Sequence, residues 1–289
     1  FTLIGISCGV QLSSAAIVIT KLYKQKLRAS MLLLTDSFYS FGGIVSTSLA
    51  GIFLARELHW SSAYFLGFLA TLIVVWIAVL FCYPDEVEID EKHNTSVSSW
   101  PINLHLVGFA ILIYLVGFVT IYSWVPQYAQ QIFGVDIERS AEIVSRMFLG
   151  MFFGQLIMFV LVFQFPLKNI IFFSAFLAGS FTIALWVVDT SRLLEFSMLL
   201  LGLFTGGLLK TILSFGTGLM QRPSAKMVSY LIFYAGVGTA IAPFLSSKIV
   251  ELYSLIAVLQ FSSICYVVML LLLLLAYLKL NNVNLDQIG

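Results

Sequence analysis

Lys210 is the residue whose placement most needs an explanation. It lies inside the apolar stretch Phe196–Leu219, and an ionised lysine near the middle of a bilayer costs about 2.5–3.5 kcal/mol on insertion scales. Something must offset that cost. Either a carboxylate pairs with it for structure alone, or it contacts an anionic or hydrogen-bond-accepting solute. Around it, Gly207, Lys210, Thr211, Ser214, Gly218 and Gln221 recur at i, i+3, i+4, i+7, i+11 and i+14, which is one face of a helix. Two shorter stripes are Ser7, Gln11 and Ser14, and Tyr114, Gly117 and Trp124. Lipid cannot satisfy polar groups, so such a stripe faces protein or a water-filled cavity. Packing of helices through small residues and hydroxyls is the plainer alternative. Gln11, Ser14, Tyr114, Trp124, Lys210, Thr211 and Ser214 are the candidate solute-binding residues.

Asp36 is the acid placed well inside a span, about one turn from its expected start. It either accepts bonds from free N–H groups at its helix start or pairs with Arg222, Lys226 or Lys210 across a helix interface. The second use would make Asp36, Arg222 and Lys226 gating or coupling residues. Glu142 and Arg146 have the i, i+4 spacing of an ion pair. Gly150 with Gly154, and Gly202 with Gly206, form two GxxxG pairs suited to close helix contact. Cys8, Cys82 and Cys265 lie in apolar runs without CxxC spacing and read as small buried hydrophobes. His93 and His105 have no further ligands at metal-binding spacing, so neither a metal nor a cofactor is expected. No GxxxxGK[ST], HExxH or GxSxG occurs, which argues against an ATPase or an intramembrane hydrolase.

The elements that must position these residues follow from composition. Of 289 residues, 60% are hydrophobic and 10% charged, against roughly 45–50% and about 25% in soluble domains. That excludes an ordinary globular enzyme, a disordered chain and a nucleic-acid binder. The net charge of +1 gives no reason to expect a polyanionic partner. Nine apolar runs approach the roughly 20 residues a membrane helix needs: Phe1–Thr20, Met31–Ala55, Ala63–Tyr83, Leu104–Val125, Ala141–Phe165, Ile170–Val188, Phe196–Leu219, Val228–Val250 and Ile256–Leu280. They are too long, and alternate too little, for membrane strands. The fold class predicted is an all-α polytopic membrane protein.

Lys and Arg in alternate connections set the orientation. Lys21, Lys24, Lys26, Arg28, Lys92, Lys168, Arg222, Lys226 and Lys279 fall on one side, against Arg56, Arg139, Arg146, Arg192 and Lys248 on the other. The richer side, with the C-terminus, is expected in the cytoplasm. The acidic stretch around Asp85, Glu86, Glu88, Asp90 and Glu91 reads as a solvated tether. It divides the chain into a partial N-terminal bundle (1–83), a linker (84–103) and a six-helix bundle (104–289). Polar stripes fall in the first, fourth and seventh spans, and the third, sixth and ninth are the plainest. This three-helix rhythm matches secondary transporters built from nested repeats. By that arithmetic the nine spans would be the fourth to twelfth of a twelve-helix protein.

Several segments carry a family resemblance: Leu34-Thr35-Asp36-Ser37-Phe38, Phe53-Leu54-Ala55-Arg56 with Trp60, Ser123-Trp124-Val125-Pro126-Gln127-Tyr128-Ala129, and Pro223-Ser224-Ala225-Lys226. In these the chain resembles the TsgA-like members of the major facilitator superfamily. The resemblance implies a two-bundle fold and a multi-pass protein of the bacterial inner membrane. It also implies a secondary active transporter that moves a small solute by alternating access, as a monomer, with a coupling proton or cation as a further partner. The alternative is a membrane sensor or scaffold on the same fold.

Overall fold

The computed structural model describes residues 14–19, 22–23, 25–59, 61–80, 100–219 and 225–286. Apolar runs without alternation become helices, and among the described residues there is no strand. Residues 14–19 are helical. Among the described residues nine longer helices follow: α1 (Gln25–Ala55), α2 (Ser62–Leu80), α3 (Ile102–Phe133), α4 (Ile137–Gln164), α5 (Leu167–Val187), α6 (Ser191–Thr205), α7 (Leu208–Gly218), α8 (Ala225–Leu252) and α9 (Leu255–Asp286). Among the described residues, seven segments are long and apolar enough to cross a membrane, α6 and α7 counting together as one, Ser191–Gly218. The shorter apolar helix Tyr64–Leu80 matches the third expected span. Most of the first, Phe1–Thr20, and most of the acidic tether lie outside the described residues.

Local chemistry sets the ends. The Asp136 carboxylate accepts from the Arg139 N–H at 2.7 Å and caps α4, and Thr190 accepts from the Leu193 N–H to cap α6. Gly134 closes α3 at φ 65°, with its N–H on the Gln130 carbonyl, a left-handed stop that suits glycine. Because Pro126 does not end it, α3 runs 32 residues, well past the expected Val125.

Two spans form the centre. The apolar windows of α3 and of α6–α7 are 72% and 67% buried, against 44% for α4, α5 and α9. α8 and α9 pack on α3, while α4 lies between α1 and α6. α2 stands apart with its apolar face open, Trp76 and Val79 among the exposed residues. The α4–α6 contact is made of glycine. A Cβ added at Gly150 or Gly154 would collide with the backbone of Leu199 or Leu203, and one at Gly202 with that of Met147. The two GxxxG pairs therefore face each other.

One expectation is corrected here. Phe196–Leu219 is not a single helix, because the turn at Gly206–Gly207 separates α6 from α7. Both glycines stay right-handed. The Thr205 carbonyl accepts from the Tyr114 hydroxyl at 3.2 Å, and the Gly206 carbonyl from the Gln155 amide at 2.9 Å. A break in membrane-buried backbone persists when neighbouring side chains take up the freed groups in this way.

Candidate functional site

α1 and α4 lie antiparallel and are joined along their length. The Ser30 hydroxyl donates to the Phe159 carbonyl, Ser40 donates to Gln155 Oε1 at 2.8 Å, and Ser48 bonds Ser145. Further along, Gly51 abuts Ala141. At the middle of this seam Asp36 meets Lys210, with Oδ1 3.1 Å from Nζ. The lysine side chain is 6% exposed and the aspartate 14%. Gln155 Nε2 donates to Asp36 Oδ2 at 3.1 Å and also to the Gly206 carbonyl. Both amide hydrogens and the amide oxygen of Gln155 are therefore used, and the fully buried side chain is fixed in orientation. On the far side of the break, Thr205 Oγ1 bonds the Tyr266 hydroxyl at 2.8 Å. The Tyr114 and Tyr266 rings meet edge to face.

The result is a polar cluster drawn from α1, α3, α4, α6, α7 and α9, centred on a discontinuity in a membrane span. Its formal charges cancel. A buried ion pair with its remaining valences bonded can persist where a lone ion would not. Beside Lys210, the void bounded by Ile111, Leu213 and Leu231 holds only about 10 Å³, at the lower limit for a single water. On that side the helices close against the lysine.

A chain of long apolar helices with charged and amide groups held at a helix break has the construction of a membrane transporter. A family model, the Major Facilitator Superfamily, matches residues 1–214. The chain belongs to that superfamily. It is 28% identical over 270 residues to the protein TsgA homolog of Buchnera aphidicola subsp. Schizaphis graminum, an alignment covering 92% of this chain and 68% of that relative. Two crystal structures of FucP share the fold: a Major Facilitator Superfamily transporter in the outward conformation, with a TM-score of 0.68, and a variant of the E. coli fucose:proton symporter, with a TM-score of 0.71. Each is 14% identical and covers 91% of this chain and 72% of FucP.

The candidate residues fall unevenly around the cluster. Lys210 and Tyr114 belong to it. Thr211 is buried, but its hydroxyl donates back to the Gly207 and Leu208 carbonyls of its own turn. Ser214 is buried on the same helix, Trp124 is half-buried on α3, and Ser14 is exposed. Gln11 and Arg222 lie outside the described residues. Lys226 is exposed near the start of α8, and the base that Asp36 meets is Lys210. A helix-start role for Asp36 is corrected, because α1 begins at Gln25, three turns earlier.

The Glu142–Arg146 pair is also replaced. Arg146 and Arg139 both bind Glu195 of α6, at 2.9 and 3.0 Å. His105 Nδ1 bonds the Tyr230 hydroxyl at 2.6 Å. Gln155, Ser40 and Tyr266 escaped sequence reasoning. Gln155, the one glutamine in the run Met151–Phe163, was the available signal, and it belongs to no stripe.

Proposed function

We propose that this protein is a secondary active transporter of a small solute, working by alternating access with the Asp36–Lys210 pair as the contact that is made and released. On this reading the chain comprises a partial N-terminal bundle (1–83), a linker (84–103) and a C-terminal bundle (104–289). On that division Asp36 and Lys210 belong to opposite bundles, and the carrying observation is their 3.1 Å contact between α1 and α7. A solute with an anionic or hydrogen-bond-accepting group competes with Asp36 for the ammonium. A proton on Asp36 removes the charge that offsets it. FucP is a fucose:proton symporter, which supports a proton as the coupling ion here. Tyr114, Thr211, Ser214 and Trp124, with Gln11 and Ser14, complete the proposed lining, and Arg222 and Lys226 the proposed inward gate. On this reading the protein is a monomer of the bacterial inner membrane, and a cytoplasmic C-terminus is in keeping with its distribution of Lys and Arg.

The test is uptake into proteoliposomes by the full-length protein, over a solute panel with and without a proton gradient. Lys210→Met is expected to leave the protein inserted and to abolish transport. Lys210→Arg rescues poorly, because a planar guanidinium does not replace a compact ammonium. Normal uptake by Lys210→Met at every pH would make the lysine structural. A wild-type protein that carries no solute would point instead to a sensor or scaffold.

A further inference from the structure

A cleft of about 390 Å³ opens between α4, α5 and α6, with neither Asp36 nor Lys210 in its lining. Its walls are almost wholly apolar, with Ile157, Leu161, Phe165, Phe173 and Phe204 prominent. Ile157, Phe165 and Phe173 are about half exposed or more, so the cleft is open sideways, toward the surrounding lipid. Its volume lies in the range of sites that hold a small molecule, roughly 300–1,000 Å³.

Depth identifies the occupant. One end lies at the α4–α5 turn, at Phe165 and Asn169, and the other reaches Gly154 and Leu203. Gly154 is ten residues before the end of α4 at Gln164, so the cleft reaches about 15 Å inward at 1.5 Å per residue. That is half of a hydrocarbon core roughly 30 Å thick, the depth of one leaflet. A partner helix would want a face across the full membrane, whereas this cleft stops midway. Level with its shallow end, beside the lining rather than in it, Lys168 is exposed at the start of α5 and donates to the Tyr277 hydroxyl of α9 at 2.8 Å. An ammonium has three donors, so that bond leaves it able to take a phosphate as well.

We propose that this cleft is a phospholipid site, in which one acyl chain lies between α4, α5 and α6 and an anionic headgroup is held by Lys168 and Asn169. The chain ends against the glycine crossing of α4 and α6, so it braces the helices that carry Gln155 and the Gly206 break.

The experiment uses the full chain purified in mild detergent with palmitoyl-oleoyl phosphatidylglycerol, with bound lipid read by native mass spectrometry. Ile157→Trp fills the cleft from its open side and is expected to lower the singly lipid-bound species about tenfold. Val160→Trp is the control: Val160 is equally exposed on α4 but is not part of the lining, and retention should not change. Lys168→Ala is expected to reduce phosphatidylglycerol retention to that of phosphatidylcholine. Equal loss in both tryptophan variants, or loss in neither, would mean annular lipid only and overturn the site. Unchanged preference for phosphatidylglycerol in Lys168→Ala would overturn the headgroup assignment.

Discussion

Replacing Asp36 by Asn keeps the shape of the side chain and an acceptor for Gln155, and removes only the charge facing Lys210. At 3.1 Å two unit charges attract by about 5 kcal/mol at an effective dielectric near 20. Desolvation of both ions offsets most of that, so the intact pair is close to neutral overall, but removal of one partner from a buried pair typically costs about 3–5 kcal/mol. Asp36→Asn and Lys210→Met are each expected to lose an amount in that range. Asp36→Asn/Lys210→Met leaves no buried charge and should return to within about 2 kcal/mol of wild type. The double-mutant cycle therefore predicts a coupling of at least about 4 kcal/mol. Reversible unfolding in mixed micelles measures all four proteins. Additive losses, or single losses below about 1 kcal/mol, would show that the charges are solvated and would refute the reasoning.

Four further expectations concern the rest of the helix packing. Gly154→Ala and Gly202→Ala push a methyl into facing backbone and should each cost about 1–3 kcal/mol in the same unfolding assay. Gly42→Ala and Gly67→Ala, with nothing within 4 Å, should be neutral or slightly stabilising, since Ala is the better helix former. Gln155→Leu strips donors from the Gly206 carbonyl and Asp36; a loss of about 1–3 kcal/mol and faster amide exchange across Gly206–Thr211 are expected. Glu195→Gln breaks two partly exposed pairs and should cost no more than about 1 kcal/mol, with the difference shrinking further in about 0.5 M salt.

Helical spans were legible because their signal is local: apolar length and turn residues such as Asp136 and Thr190 are written in consecutive positions. Lys210 and Asp36 stood out one by one for a similar reason, as charges in apolar runs. Their partnership is a different kind of fact. It depends on the antiparallel seam of α1 and α4, which no periodicity encodes, and on Gln155, a neutral side chain with no helical stripe of its own. Glu195 shows the same limit. Local spacing favoured Glu142 for Arg146, yet the tertiary contact brings Glu195 to both arginines. The helix break was hidden because Gly206 and Gly207 also suit tight packing, and only Tyr114 and Gln155 from other helices show that the freed carbonyls are satisfied.

The pair also imposes an order on biogenesis. Helices enter the membrane as they are synthesised, and Asp36 is inserted long before its partners exist. Gln155 follows it by 119 residues, and Lys210 emerges later still. Throughout that interval α1 carries a carboxyl group into the bilayer with neither the amide nor the ammonium to receive it, at a cost that the insertion machinery, a bound proton or a temporary neighbour must absorb. The nascent protein therefore passes through a period of dependence on its surroundings, which ends when α7 docks. Slowing translation between α4 and α7 would prolong that period, so the same Asp36 that is matched by Lys210 in the finished protein is also the nascent chain's point of exposure to membrane quality control.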